Sequence, residues 1–162
     1  MLEKLTNIEE LKFRKFQDSN ETEDLMGYIK FWFQKNPGGK IAIGTDSQRR
    51  KKHLVYVTVI AMFYEGNKGA HLIYTRNRFK LRKTDLWTRL WQEVEATRTV
   101  AEYVKEGIDK PIEVHIDLNP DAEYASNKVF GAAIGYLKSF EFEVFAKPDG
   151  SIATYAADLL TD

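Results

Sequence analysis

The chain has 162 residues, of which 43% are hydrophobic and 30% charged, as expected of a globular domain. The absence of cysteine excludes disulfides and thiolate metal sites, and it favours a cytoplasmic location. The 24 Lys and Arg residues balance the 24 Asp and Glu residues, which is not the composition of a strongly basic nucleic-acid binder. No apolar run approaches the roughly 18 residues that span a bilayer, so we expect no membrane association.

The first 39 residues are predicted to form a helical leader that packs on the rest of the chain. After a cap at Asn20–Glu23, apolar residues recur with helical spacing from Leu25 to Phe33, and Pro37-Gly38-Gly39 ends that helix. The leader is rich in aromatic residues. We expect them to pack on a sheet, with a homodimer contact as the alternative.

Residues 40–162 are predicted to form one α/β domain that begins with three strands. The first, Lys40–Asp46, is an apolar run ending in an acid, as in a strand buried on both faces. The second, His53–Tyr64, and the third, Ala70–Leu81, are rich in β-branched and aromatic residues and are joined by a short glycine-containing loop. Short connections predict an antiparallel meander.

The pattern then changes to helices that alternate with strands. A helix is predicted from Thr84 to Gly107, a fourth strand over Ile112–Leu118, a helix from Asn119, a fifth strand over Phe142–Ala146 and a last helix over Ile152–Leu160. Right-handed crossovers place the fourth strand beside the first and the fifth beyond it. The prediction is therefore a three-layer α/β fold with a five-stranded mixed sheet in the order 3-2-1-4-5.

Two aspartates occupy matching positions on the predicted parallel strands. Asp46 ends the first strand, and Asp117 lies near the end of the fourth. Neighbouring strands are about 4.8 Å apart, so the two carboxylates can meet at the edge where open α/β sheets bind ligands. Two buried negative charges are costly together unless a cation compensates them, which makes this pair a candidate metal site.

Further acids are candidates for the same site. On the long helix, Glu93 lies beside the apolar stripe and is favoured, although the spacing of Glu95 does not eliminate it. Near the end of the chain, Asp149 follows the fifth strand and Asp158 lies in the last helix; either could be a fourth acid.

These residues give the chain a resemblance to the ribonuclease H-like superfamily, and more narrowly to the bacterial YkuK-type family. The resemblance covers the chain from about Lys40 onward. It rests on the order of short segments, which are Ile43-Gly44-Thr45-Asp46-Ser47-Gln48, His115-Ile116-Asp117, Lys147-Pro148-Asp149 and Ala157-Asp158. It implies a ribonuclease H-like fold whose site acids fall on Asp46, Glu93, Asp117 and, at the end of the chain, Asp158 or Asp149.

The resemblance also implies an activity. Mg²⁺ or Mn²⁺ would bind these carboxylates in a two-metal hydrolysis of phosphodiesters in RNA, DNA or a hybrid of the two. Ser47 and Gln48 could line the groove that holds the nucleic acid, and Lys147 could contact a phosphate. His115 is expected to be a packed core residue rather than a participant.

Two functions remain open on the sequence. The first is a metal-dependent nuclease or resolvase-type enzyme, which the clustered acids favour. The second is a non-catalytic module that binds nucleic acid or a protein through the basic runs Arg49–Lys52 and Arg76–Lys83, which the neutral net charge favours.

Overall fold

The computed structural model describes residues 1–66, 68–117, 127–146 and 160. Eleven elements are assigned in that part of the chain. In chain order they are α1 (Leu2–Leu5), a 3-10 helix (Ile8–Glu10), β1 (Arg14–Lys15), α2 (Leu25–Lys35), β2 (Lys40–Arg50), β3 (His53–Phe63), β4 (Ala70–Lys80), α3 (Leu86–Gly107), β5 (Ile112–Ile116), α4 (Asn127–Lys138) and β6 (Glu143–Ala146).

The strands form one mixed sheet in the order β1-β4-β3-β2-β5-β6. Strands β2, β3 and β4 pair antiparallel, whereas β2 with β5 and β5 with β6 pair parallel. The five predicted strands correspond to β2 through β6, and their predicted order 3-2-1-4-5 is confirmed. The sixth strand, β1, was not predicted and has only two residues.

The prediction of a helical leader is wrong over residues 11–24, where no helix forms. Arg14 and Lys15 pair antiparallel with Tyr74 and Ile73 of β4. The backbone of this segment therefore finds its hydrogen-bond partners on an edge strand, and it covers part of that edge. Tertiary pairing overrides any local preference for a helix here, and the apolar residues Leu11 and Phe13 are buried without forming one.

The second leader helix, α2, forms as predicted. Its cap is Asp24, whose side chain accepts a hydrogen bond from Gly27 N at 3.0 Å, rather than the predicted Asn20–Glu23 segment. Trp32 and Phe33 are buried in the main core, as is Phe13. Phe16 and Phe31 remain exposed. Most leader aromatics thus pack on the sheet, and nothing in the described residues supports a homodimer contact.

The hairpin of β2 and β3 is longer than predicted. The two strands pair over their full length, from Lys40 opposite Phe63 to Arg50 opposite His53. Strand β2 therefore continues four residues past Asp46, because the whole of β3 supplies it with backbone partners. Lys51 turns the chain with a left-handed φ of 54°.

The main core lies between α3 and one face of the sheet. Asp85 caps α3 by accepting a hydrogen bond from Thr88 N at 2.7 Å, which agrees with the predicted start. The apolar side of α3 packs on the sheet. Together they form a continuous cluster that includes Ile41, Ile43, Ile60, Val94, Val100, Val104, Ile112 and Val114. On the opposite face a smaller cluster forms around Val55, Val57 and Val59.

Parts of the prediction fall outside the described residues. These are the start of the helix predicted from Asn119 and nearly all of the last predicted helix, Ile152–Leu160. Leu160 is described, and it contacts the smaller cluster. Within the described part of the chain, no helix is both long and apolar enough to cross a membrane.

Candidate active site

The site is organised by the parallel pairing of the two central strands. Strand β2 pairs with β5 from Ile41 opposite Ile112 to Gly44 opposite His115. Two residues farther along the same register, Asp46 and Asp117 stand at the same level. Asp117 directly follows the end of β5, which is shorter than the predicted Ile112–Leu118, whereas Asp46 lies inside β2 and is paired with Val57 of β3. The sheet thus brings the two aspartates to one region.

Helix α3 contributes a third carboxylate from above the sheet. Glu93 is only 6% exposed, and the hydroxyl of Ser47 donates a hydrogen bond to its Oε1. Glu95 faces elsewhere, because it bonds to Arg98 at 3.0 Å, and Arg98 lies over the ring of Phe140. Of the two glutamates that the spacing left open, Glu93 is therefore the one that faces the sheet.

The carboxylates influence one another electrostatically. The pKa of Glu93 is raised well above its usual value, first by burial and next by the negative charge of Asp46. The charge of Asp117 acts in the same direction, while the Ser47 hydrogen bond and the positive charge of Arg89 oppose it. Burial strengthens each of these effects because less water screens the charges.

A chain of buried hydroxyl groups joins α3 to the sheet next to this site. Thr97 donates to Thr45 Oγ1 at 2.8 Å, and Thr45 is bonded in turn to Thr58 at 2.9 Å. One turn away, the Tyr56 hydroxyl donates to Gln92 Oε1 at 2.5 Å. These bonds set the rotation of α3 about its axis, so that Glu93 lies over Ser47.

The acids approach from both faces of the sheet. Thr45 and Ser47 point toward α3, so the intervening Asp46 projects from the opposite face by strand alternation. Gln48 shares that face and donates to Asp46 Oδ2 at 3.2 Å. Glu93 and Asp117 border a small hollow on the α3 side. The three carboxylates therefore surround the point at which the pairing of β2 and β5 ends.

The donor chemistry of this site suits Mg²⁺ or Mn²⁺. All three groups offer carboxylate oxygens, which these ions prefer. A divalent cation would offset both the burial of negative charge and the repulsion that together raise the pKa of Glu93. However, among residues 1–66, 68–117 and 127–146, no three acidic or histidine side chains are gathered closely enough to hold an ion. The fit is in charge and donor type, and a shared ion would require these side chains to converge.

Other predicted site residues are placed as follows. Ser47 is buried beneath α3, and Gln48 is half-buried beside Asp46. His115 is buried, packs edge-on against Phe145 and lies 3.6 Å from Glu113, as expected of a core histidine; burial lowers its pKa. The predicted Lys147, Asp149 and Asp158 lie outside the described residues.

Sequence reasoning missed the residues that support the site. Arg89, one helical turn before Glu93, is visible as an i,i+4 pair of opposite charge. Thr45, Thr58 and Thr97 gave no comparable signal, because they come together only through pairing of β2 with β3 and packing of α3.

Comparison with known protein families gives one match. The model of the family described as "Ribonuclease H-like" matches residues 22–162, which is most of the chain and includes α2 of the leader. None of the curated proteins compared with the chain matches it. The match agrees with the observed mixed sheet, in which three antiparallel strands are followed by two parallel ones. The chain belongs to the ribonuclease H-like family.

Proposed function

We propose that this protein is a metal-dependent nuclease or resolvase-type phosphodiester hydrolase that acts on RNA, DNA or a hybrid of the two. The observation that carries the proposal is the placement of three carboxylates where the pairing of β2 and β5 ends. Asp46 and Glu93 are almost fully buried, and the charges of Asp46 and Asp117 add to the effect of burial on the pKa of Glu93. Buried carboxylates that repel one another are costly, and a domain that only binds a partner has no need of them. Family membership supports a nucleic-acid substrate. The narrower assignment to the YkuK-type family is part of this proposal.

Asp46, Glu93 and Asp117 would hold the metal, with Asp149 or Asp158 as a fourth acid. Bound Mg²⁺ or Mn²⁺ would supply Lewis acidity, both to activate water for in-line attack and to stabilise the leaving oxygen. Lys147 would contact a phosphate, and Gln48 would border the bound strand. Ser47 cannot line that groove as predicted, because it is enclosed beneath α3 and bonded to Glu93; its part is to orient Glu93.

The chain's own residues prepare the ligands. Ser47 orients Glu93 through a hydrogen bond, and Gln48 orients Asp46. Arg89 opposes the rise in the pKa of Glu93, so it favours the ionised form that can bind a cation. Because a ligand carboxylate must be ionised, metal binding should release protons in the pH range where Glu93 is protonated.

The second candidate is a ribonuclease H-like module that binds nucleic acid or a protein without cutting. The neutral net charge favours it, as does the lack of a three-ligand group among the described residues.

Calorimetric titration of Mg²⁺ and Mn²⁺ separates the two candidates. We expect the parent protein to bind metal, and Asp46→Asn and Asp117→Asn to abolish binding or weaken it sharply while the fold persists. Asp109→Asn is the matched control. It makes the same change of charge, but at an exposed aspartate away from the site. It should bind as the parent does.

A nuclease screen on RNA, DNA, hybrid and junction substrates follows if the site binds metal. Cleavage by the parent and by Asp109→Asn, but not by the two site variants, would support the enzyme. If the parent binds no metal even with nucleic acid present, the catalytic proposal is rejected and the binding module takes its place.

A further inference from the structure

A strongly cationic surface lies at the end of the sheet toward which β2 runs. An open groove there, the basic groove, has His53 and Val55 on its floor. Its cationic lining residues come from the end of β2, from the β2–β3 turn and from β4; they are Arg49, Arg50, Lys51, Lys52, Arg76 and Arg78.

The concentration of positive charge is a property of this part of the chain alone. Residues 47–84 contain ten of the 24 Lys and Arg residues and a single acid, Glu65, although the whole chain has no net charge. Glu65 follows β3 at the far end of the hairpin, away from the β2–β3 turn. An uneven distribution of this kind forms an electrostatic footprint that a count of net charge conceals.

Strand β4 arranges three of these cations in a row. Arg76, Arg78 and Lys80 are exposed, whereas the intervening Asn77 is buried on the α3 side. Same-face residues of a strand repeat about every 7 Å, so the row presents regularly spaced cations. This spacing is comparable to that of successive phosphates along one nucleic-acid strand.

The basic groove is continuous with the carboxylate site along β2. Asp46, Gln48 and Arg50 project from the same face of that strand, and Arg50 lines the groove. Arg50 lies four residues along the strand from Asp46, which corresponds to roughly 13 Å. One nucleic-acid strand can therefore contact both places at once.

We propose that the basic groove binds the phosphate backbone of double-stranded nucleic acid, independently of sequence, and leads one strand toward Asp46. The path of the strand to Asp46 rests on the proposed function, whereas duplex binding by the basic groove does not. Backbone binding follows from the lining, since Lys and Arg recognise phosphates. A duplex is favoured because the described lining residues include no Phe, Tyr or Trp on which unpaired bases could stack.

The test is duplex binding measured by fluorescence anisotropy with EDTA present, so that neither metal nor cleavage contributes. The variant is Lys51→Gln/Lys52→Gln/Arg78→Gln. The matched control is Lys12→Gln/Lys30→Gln/Lys138→Gln, which removes the same charge from exposed positions elsewhere. Binding is measured over a range of salt concentrations for DNA, RNA and hybrid duplexes and for single strands of the same sequences.

We expect the groove variant to bind every duplex at least about tenfold more weakly than the parent. The slope of the logarithm of the binding constant against the logarithm of the salt concentration should be shallower by about three. The control should keep the parent's affinity and slope, and single strands should bind the parent less well than duplexes do. Equal losses in the two triple variants, equal binding of single strands, or a parent that binds no duplex would overturn the inference. Loss of binding in the groove variant of a protein that cuts nothing would leave it standing and reject only the proposed catalysis.

Discussion

Ser47 donates a hydrogen bond to Glu93 across the buried interface between β2 and α3. Both side chains are almost fully enclosed, so this bond joins the strand that carries Asp46 to the helix that carries the third carboxylate. Because Ser47 is the next residue after Asp46, this hydrogen bond connects the two halves of the candidate site directly.

Replacing Ser47 with alanine should destabilise the protein and raise the pKa of Glu93. The variant leaves a buried carboxylate without a donor, which should cost about 1–3 kcal/mol in the free energy of unfolding. Because the Ser47 bond lowers the pKa of Glu93, that pKa should rise further in the variant. Urea unfolding and NMR titration of the labelled glutamate carboxyl carbon measure the two effects. Ser139→Ala, at an exposed position, should change stability by less than about 0.5 kcal/mol; an equal change in both variants would count against the bond.

The raised pKa of Glu93 predicts a specific dependence of stability on pH in the metal-free protein. Below the usual pKa of 4.5, Glu93 is protonated in both the folded and the unfolded state, and it does not change the free energy of unfolding with pH. Between that value and the raised folded pKa, only the folded state keeps the proton, so its stability falls as pH rises. Above the folded pKa the loss is complete.

Glu93→Gln should remove this part of the pH dependence and make the metal-free protein more stable than the parent at neutral pH. Urea unfolding from about pH 5 to about pH 9 tests it. Glu95→Gln, which changes the glutamate paired with Arg98, is the control and should keep the parent's dependence. If Glu93→Gln retains the full slope, Glu93 does not carry the raised pKa.

The buried hydroxyl chain should contribute measurably to the attachment of α3. Thr97→Val keeps the shape of the side chain but removes the donor to Thr45, which should cost about 1 kcal/mol. A double-mutant cycle of Thr97→Val with Thr45→Val should show coupling between the two sites. Additive losses in that cycle would mean that the bond is energetically unimportant.

Close packing of the leader helix against the β2–β3 hairpin should make Gly39 intolerant of a side chain. An added Cβ would lie 2.7 Å from a ring carbon of Trp32 and 2.9 Å from the backbone oxygen of Phe63. Gly39→Ala should therefore destabilise the protein by about 1–3 kcal/mol in thermal or urea unfolding. Gly135→Ala in α4, where an added Cβ meets no described atom within 4 Å, should instead stabilise by about 0.5–1 kcal/mol. The same sign in both variants would contradict this packing.

Local pattern was sufficient for most elements of the sheet. The apolar runs ending at Asp46 and Ile116 and the short loop between β3 and β4 are properties of neighbouring residues, and they predicted five strands and their order correctly. The two-residue strand β1 could not be predicted, since its only strand character comes from pairing with Tyr74 and Ile73, about sixty residues away in the chain. The same holds for the extension of β2 past Asp46, which depends on the length of β3.

For the candidate site, helical periodicity narrowed the choice to Glu93 and Glu95 but could not decide between them. The packing of α3 on the sheet distinguishes them, because it places Glu93 against Ser47 while Glu95 pairs with Arg98. Periodicity describes one helix, whereas the rotation of that helix on the sheet depends on bonds such as the one from Thr97 to Thr45.

By itself, the sequence determined the class of fold, the meeting of β2 with β5 and the donor type of the site, because alternation, apolar runs and carboxylate chemistry are local. Only the tertiary structure decided that Asp46 lies within a strand and projects from the face opposite α3, and that the third carboxylate is buried. It also decided that cations from two hairpins line one groove beside the site. These features arise from contacts between residues distant in the chain, whose energies no local pattern contains.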